Sequence, residues 1–240
     1  MSVLALRLAG PLQSWGATSR FARRTTESAP TKSGVVGLLA AAVGIERGDD
    51  ARLAPLAGLS FAVRIDQPGT RVRDFHTTHH PVTGKAMPVS ERFYLADAVF
   101  VAALQGDTEL LTHLHTAVQN PVHAPFLGRR SCPPARPVDL ALTDDPTALD
   151  ALRTLPWQAA PWHRRQHRSH VEIDLTVLRE ADPADPTADT LRDQPVSFSA
   201  AHRRHALRTV ITDHVRIPHP AAGATPDRHD PFAALDEESA

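Results

Sequence analysis

The stretch "APTKSGVVGLLAAAVGI", residues 29–45, sets a lysine, a serine and a glycine directly before a run of small and apolar residues. Val35, Leu38, Leu39, Ala42 and Val43 recur at helical spacing. Pro30 and Thr31 start the turn, Ser33 is the expected N-cap and Gly44 the expected stop. The first backbone N–H groups of such a helix have no internal partner, and its dipole adds partial positive charge. An anion therefore fits there, and Lys32 adds a full charge. An ordinary capped core helix with a solvated lysine is the plainer alternative. A nucleotide-binding phosphate loop needs G-x-x-x-x-G-K-[ST] after a strand. Thr31 precedes Lys32, and no glycine lies between Gly16 and Gly34, so that reading fails.

Working outward, "SVLALRLAG" alternates as a half-buried strand does, and a long loop over 10–32 leads to the helix. "GLSFAVRID" (58–66) and "RFYLADAVFVAAL" (92–104) read as the second and third strands. "DTELLTHLHTAVQN" (107–120) reads as a helix capped by Asp107, and "ARPVDLALT" (135–143) as a fourth strand. Strand, helix, strand, strand, helix, strand is the order of the ferredoxin-like split unit, which RNA-recognition domains share. The fold class expected is thus α+β: a ferredoxin-like domain over 1–143 and a reduced, irregular β-rich part over 144–217 packed on it. In that part 170–180 and 205–217 read as strands of a second sheet, and 218–240 as a proline- and acid-rich tail. Between the second and third strands lies "QPGTRVRDFHTTHHPVTGKAMPVSE" (67–91), far longer than a hairpin turn needs. Its β-prone ends, glycines, histidines and arginines predict a projecting hairpin, a thumb.

With 240 residues, 42% of them hydrophobic, the chain can bury a real core. No apolar run is long enough to cross a membrane, "MSVLALRLAG" is too short and charged for a signal peptide, and Cys132 is the only cysteine. These features suit a reducing cytoplasm and exclude a disulfide framework or a multi-cysteine zinc site. The formal net charge is −1, yet of 26 basic residues only Lys32 and Lys85 are lysine, leaving 24 arginines. They bunch at Arg20, Arg23 and Arg24; Arg71 and Arg73; Arg129 and Arg130; Arg164, Arg165 and Arg168; Arg203, Arg204 and Arg208. A near-neutral protein with clustered guanidinium groups can present one face to nucleic acid. "DFHTTHH" (74–80) and "HRRQHRSH" (163–170) crowd histidines, but neither supplies the scaffolded ligand pairs of a zinc site or the H-E-x-x-H motif. They read as a polar hairpin and a basic loop, with no metal or other cofactor implied.

These blocks resemble a known family. "LRLAGPLQSWG" with "PTKSGVVGLLAAAVGIERGDD", then "RDFHTTHH", "ERFYLADAVFVAAL", "PFLGRRSCPPARP" and, more loosely, "RDQPVSF" with Arg203, His205 and Arg208, resemble the CasD family. Its members hold the 5′ handle of the guide RNA (crRNA) in the type I-E CRISPR surveillance complex, Cascade. The resemblance covers roughly residues 3–216. It implies a non-catalytic, RNA-binding role in antiviral defence, with the CasC backbone subunit and the large CasA subunit as partners. It implies contact with target DNA only through the assembled complex, and none with a membrane. A related branch cuts repeat RNA, so a metal-independent endoribonuclease is the alternative, with His76, Tyr94, Lys32 and Lys85 as its possible groups.

The candidate RNA-binding residues follow. Lys32, Ser33 and Gly34 meet a backbone phosphate, and Gln13 and Trp15 a base. Gly128, Arg129, Arg130 and Ser131 form a second loop, and Arg24 lies in the first arginine bunch. Arg73, His76 and Thr77 lie on the thumb with Arg92 at its base, and Arg203 and Arg208 near the C-terminal end.

Overall fold

The computed structural model describes residues 1–16 and 23–220. Strands β1 (Ser2–Ala9) and β2 (Leu12–Gln13) come first, then β3 (Arg23–Arg24), helices α1 (Lys32–Ala42) and α2 (Asp50–Ala57), and β4 (Ser60–Gln67). β5 (Thr70–His76) and β6 (Ser90–Ala96) precede β7 (Val99–Gly106), α3 (Thr108–Gln119) and β8 (Asp139–Thr143). The chain continues with α4 (Ala148–Thr154), α5 (Pro161–Gln166), β9 (Glu172–Glu180), β10 (Asp189–Ser197) and β11 (Arg204–Pro218).

Seven strands form one sheet in the order β10-β11-β9-β4-β7-β1-β8. All its pairings are antiparallel. β1 sits between β7 and β8 and is buried on both faces rather than one. Leu4, Leu6 and Leu8 point into a core built with α1, α2 and α3. Val3 and Ala5 point the other way, into a second core with α4, Trp157 and β9. At the heart of that second core Arg64 binds Asp66 through two hydrogen bonds of 2.7 and 2.9 Å. Arg64 also donates to the carbonyls of Leu152, Leu155 and Pro156, the orphan acceptors at the end of α4. Neither ion is exposed, so the pair persists because every polar group in it is bonded.

Several boundaries differ from the sequence expectation, for identifiable reasons. The run 92–104 is two strands, because Asp97 takes φ +56° and turns the chain between sheets. β6 then pairs with β5 from His76↔Ser90 to Thr70↔Ala96, so the thumb is rooted beyond 91. On its other edge β6 receives β2 at Leu95 and Ala96 and β3 at Glu91 and Arg92, making the second sheet. The C-terminal strands do not form a sheet of their own: β9 pairs with β4 and extends the first sheet. β10, α2, α4 and α5 were not expected; β10 contains Pro195, and the three helices are short. The second strand starts at Ser60, since Gly58 caps α2, and the fourth at Asp139. Residues 221–240 of the expected tail, and Arg20, lie outside the described residues. Among the described residues no helix is long and apolar enough to cross a membrane.

Candidate nucleic-acid interface

The mouth of α1 is already occupied. Thr31, not Ser33, is the N-cap, accepting from the Gly34 N–H. The Lys32 N–H donates 2.8 Å to Asp193 Oδ2 from β10, so the anion that this helix end favours is a carboxylate of the chain itself. Arg208 grips the same carboxylate at 2.9 and 2.8 Å and lies over the Phe61 ring. Lys32 Nζ meets Glu180 at 2.8 Å, and the residue is 3% exposed. Burial, partly offset by Glu180, lowers its pKa. Lys32 and Arg208 are therefore buried members of an ion network, which corrects the expectation that their charges face RNA.

Gln13 and Trp15 are corrected likewise. Both are fully buried: Gln13 donates to Leu8 O and Ala98 O and accepts from Trp15 Nε1 at 3.1 Å. No base edge or stacking face remains on either. The Trp15 indole and the Ser14 backbone between them explain two glycines. A Cβ on Gly34 would stand 2.8 Å from the Trp15 ring. Gly128 has φ +81°, and its Cβ would collide with the Ser14 carbonyl. The close approach at Gly34 is thus to protein.

Other candidates do come together. A groove of about 1120 Å³ runs beside α1 and is lined by Ser33, Gly34, Gly128, Arg130 and Arg203. Four further lining residues were not named as RNA contacts: Arg47, Phe126, Phe198 and His205. All four stood within the quoted motifs, but no spacing rule joins them. His205 packs against Phe198 with ring centroids 6.2 Å apart, and burial, then the Arg203 charge, lower its pKa. Ser131 is exposed at the end of the same loop, beside buried Cys132.

A second group meets at the root of the thumb. Arg129 donates 3.0 Å to Arg24 O and lies 4.7 Å over the Tyr94 ring. Arg24 pairs in register with Arg92, and Arg92 with Asp74 across the hairpin. Arg73 stacks on Phe75 and approaches Glu91 at 3.8 Å; His76 pairs with Asp74. Thr77 begins the tip, where every residue from 77 to 89 is exposed. Arg24, Arg92, Arg129, Arg130 and Arg203 have no ion-pair partner among the described residues. Also among these, no group of three or more His, Cys, Asp or Glu is placed to hold a metal ion.

Comparison with known proteins agrees with this architecture. The family model described as CRISPR-associated protein (Cas_Cas5) matches residues 3–211. The CRISPR system Cascade subunit CasD of Escherichia coli (strain K12) is 38% identical over 157 residues, 58% of this chain and 70% of that protein. A solved Cas protein superposes with a TM-score of 0.69 at 36% identity, covering 92% of this chain and 97% of its own. A chain of a CRISPR RNA-guided surveillance complex superposes with a TM-score of 0.74 at 30% identity, over 95% of both. A family model that matches residues 3–211, most of the chain, leaves one conclusion: the chain belongs to the Cas5 family of CRISPR-associated proteins.

Proposed function

We propose that this chain is the subunit of a type I-E Cascade surveillance complex that caps the guide RNA and holds its 5′ handle without cutting it. The carrying observation is the set of unpaired arginines, Arg24, Arg92, Arg129, Arg130 and Arg203, distributed along the groove and the thumb root. A single-stranded handle exposes phosphates and base faces together, and guanidinium groups beside aromatic rings suit both. Ser33, Gly128, Ser131, His76 and Thr77 supply smaller polar contacts along the same path. The β1-α1-β4-β7-α3-β8 core, with strand order β4-β7-β1-β8, supports a ferredoxin-like unit as the platform. In this reading residues 1–143 carry most of the RNA contacts, and 144–217 brace them and add Arg203. The CasC and CasA subunits flank the chain in the cytoplasm, and target DNA is met only in the assembly.

The cleaving alternative requires a base and a cation at one phosphodiester. Here Lys32 is buried in its ion network, Tyr94 lies under Arg129, His76 pairs with Asp74, and Lys85 stands at the hairpin tip. These groups do not converge, which favours holding over cutting. The test is reconstitution of the complex with Arg129→Ala and Arg130→Ala. The handle end should become open to nuclease while the parent protects it. Equal protection, or site-specific cleavage of repeat RNA by the parent without divalent metal, would overturn the reading.

A further inference from the structure

The other side of the large sheet carries a second group of arginines. Arg7, on β1, lies on the face of Val3 and Ala5, away from the groove side. It donates to Pro137 O at 3.3 Å and Gln158 Oε1 at 3.4 Å. Arg164, on α5, donates to Trp157 O, and Arg136 is near enough for its charge to act on Arg164. Arg165 and Arg168 are exposed on the same segment. Beside them stands Trp162, 44% exposed, its ring edge-on to His163 at 5.4 Å; His163 in turn packs on Trp157. None of Arg7, Arg136, Arg164, Arg165 and Arg168 has an ion-pair partner among the described residues, whereas Arg64, Arg153, Arg179, Arg204 and Arg208 each do. Asp66, whose charge reaches Arg164, is buried and held by Arg64.

We propose that this surface binds a single-stranded nucleic acid, separate from the strand assigned to the groove. Five guanidinium groups with no ion pair among the described residues offer charge to phosphates. The exposed indole beside them offers a face on which an unpaired base stacks. A duplex, whose bases are stacked internally, or an acidic protein segment uses the charge but leaves the indole idle. The choice of a single strand therefore rests on Trp162 and the arginines together.

Intrinsic fluorescence reads this site directly, because Trp15 and Trp157 are buried and Trp162 alone of the three is exposed. The full chain is titrated with oligo-dT and oligo-rU of fifteen nucleotides, and binding is followed in parallel by anisotropy of labelled strands. Either strand should quench Trp162 emission, and their ratio distinguishes DNA from RNA. Trp162→Ala should weaken binding roughly 5- to 150-fold, while Trp162→Phe keeps most of the affinity without the fluorescence signal. Arg165→Ala with Arg168→Ala should reduce the slope of log affinity against log salt by about 1.4. Arg130→Ala with Arg203→Ala, in the groove, should leave the quenching unchanged. An unchanged salt slope in the Arg165 and Arg168 variant, equal losses for the Ala and Phe variants of Trp162, or quenching abolished by the groove variant each overturn the proposal. Competition by poly-glutamate as strong as by oligo-dT overturns it too, in favour of an acidic protein segment. All substituted residues are at least partly exposed, so matching thermal melts keep each result about binding.

Discussion

Asp193 holds three groups at once: the Lys32 N–H, the Arg208 guanidinium and, through the latter, the edge of the Glu180 site. Its substitution takes from a buried arginine its nearest partner and leaves the Lys32 N–H without its acceptor. Asp193→Ala should therefore cost about 3–5 kcal/mol, measured by urea denaturation. Lys32→Met should cost less, because Glu180 is partly exposed and retains Arg208 at 3.9 Å. His205 behaves differently. Burial first, and then the Arg203 charge, hold its pKa below the ordinary value, so the neutral ring is the folded form at neutral pH. The stability this contributes is present above the unfolded pKa of about 6.5 and is lost as pH falls through the folded value. A phosphate beside His205 in the groove offsets the Arg203 charge and favours the imidazolium, raising the pKa of the bound state. Guide affinity should accordingly rise as pH falls from about 7.5 to 6, and His205→Gln should flatten that rise. A pH-independent affinity in the parent would show that no phosphate approaches His205.

At the scale of elements, the thumb divides into a root that belongs to the core and a tip that does not. Tyr94 and Leu95 of β6 are buried in the main core, while residues 77–89 are all exposed. Replacing 77–89 with a short Gly-Ser link after the last ladder pair, His76↔Ser90, should change stability by less than about 1 kcal/mol. In a rebuilt complex the same variant should expose the junction between handle and spacer to nuclease. Full protection would assign the tip to protein contact instead. Tyr94→Ala, by contrast, removes a buried ring and the partner of Arg129, and should cost about 3–5 kcal/mol in thermal or urea unfolding.

Across the whole molecule, the C-terminal third is structurally inseparable from the first two. β9 covers the open edge of β4, Glu180 and Asp193 complete the mouth of α1, and the carbonyls of 152–156 satisfy Arg64. A fragment of residues 1–143 exposes an edge strand and leaves Arg64, Lys32 and the α1 N-terminus unmatched. It should show no cooperative unfolding transition by calorimetry, whereas the full chain should show one. An independently melting fragment would mean that the cores on the two sides of the sheet are separate cooperative units.

The sequence alone determined what depends on near neighbours. Helical spacing over 35–43 located α1, the Asp107 cap located α3, alternation located β1, the run 205–217 marked β11, and the length of 67–91 announced the thumb. Its motifs also carried the family, because blocks such as "LGRRSCP" stay together in the chain. Tertiary structure decided which charges are free. Lys32 and Arg208 look as available as Arg130 and Arg203 in the sequence, but carboxylates 148 and 15 residues away neutralise the first two and not the others. It also decided that Trp15 is core and Trp162 surface, since the side of the sheet to which a ring turns is set by long-range pairing. Local propensity acts over a few residues, whereas burial and ion pairing act across whatever the fold brings within about 4 Å.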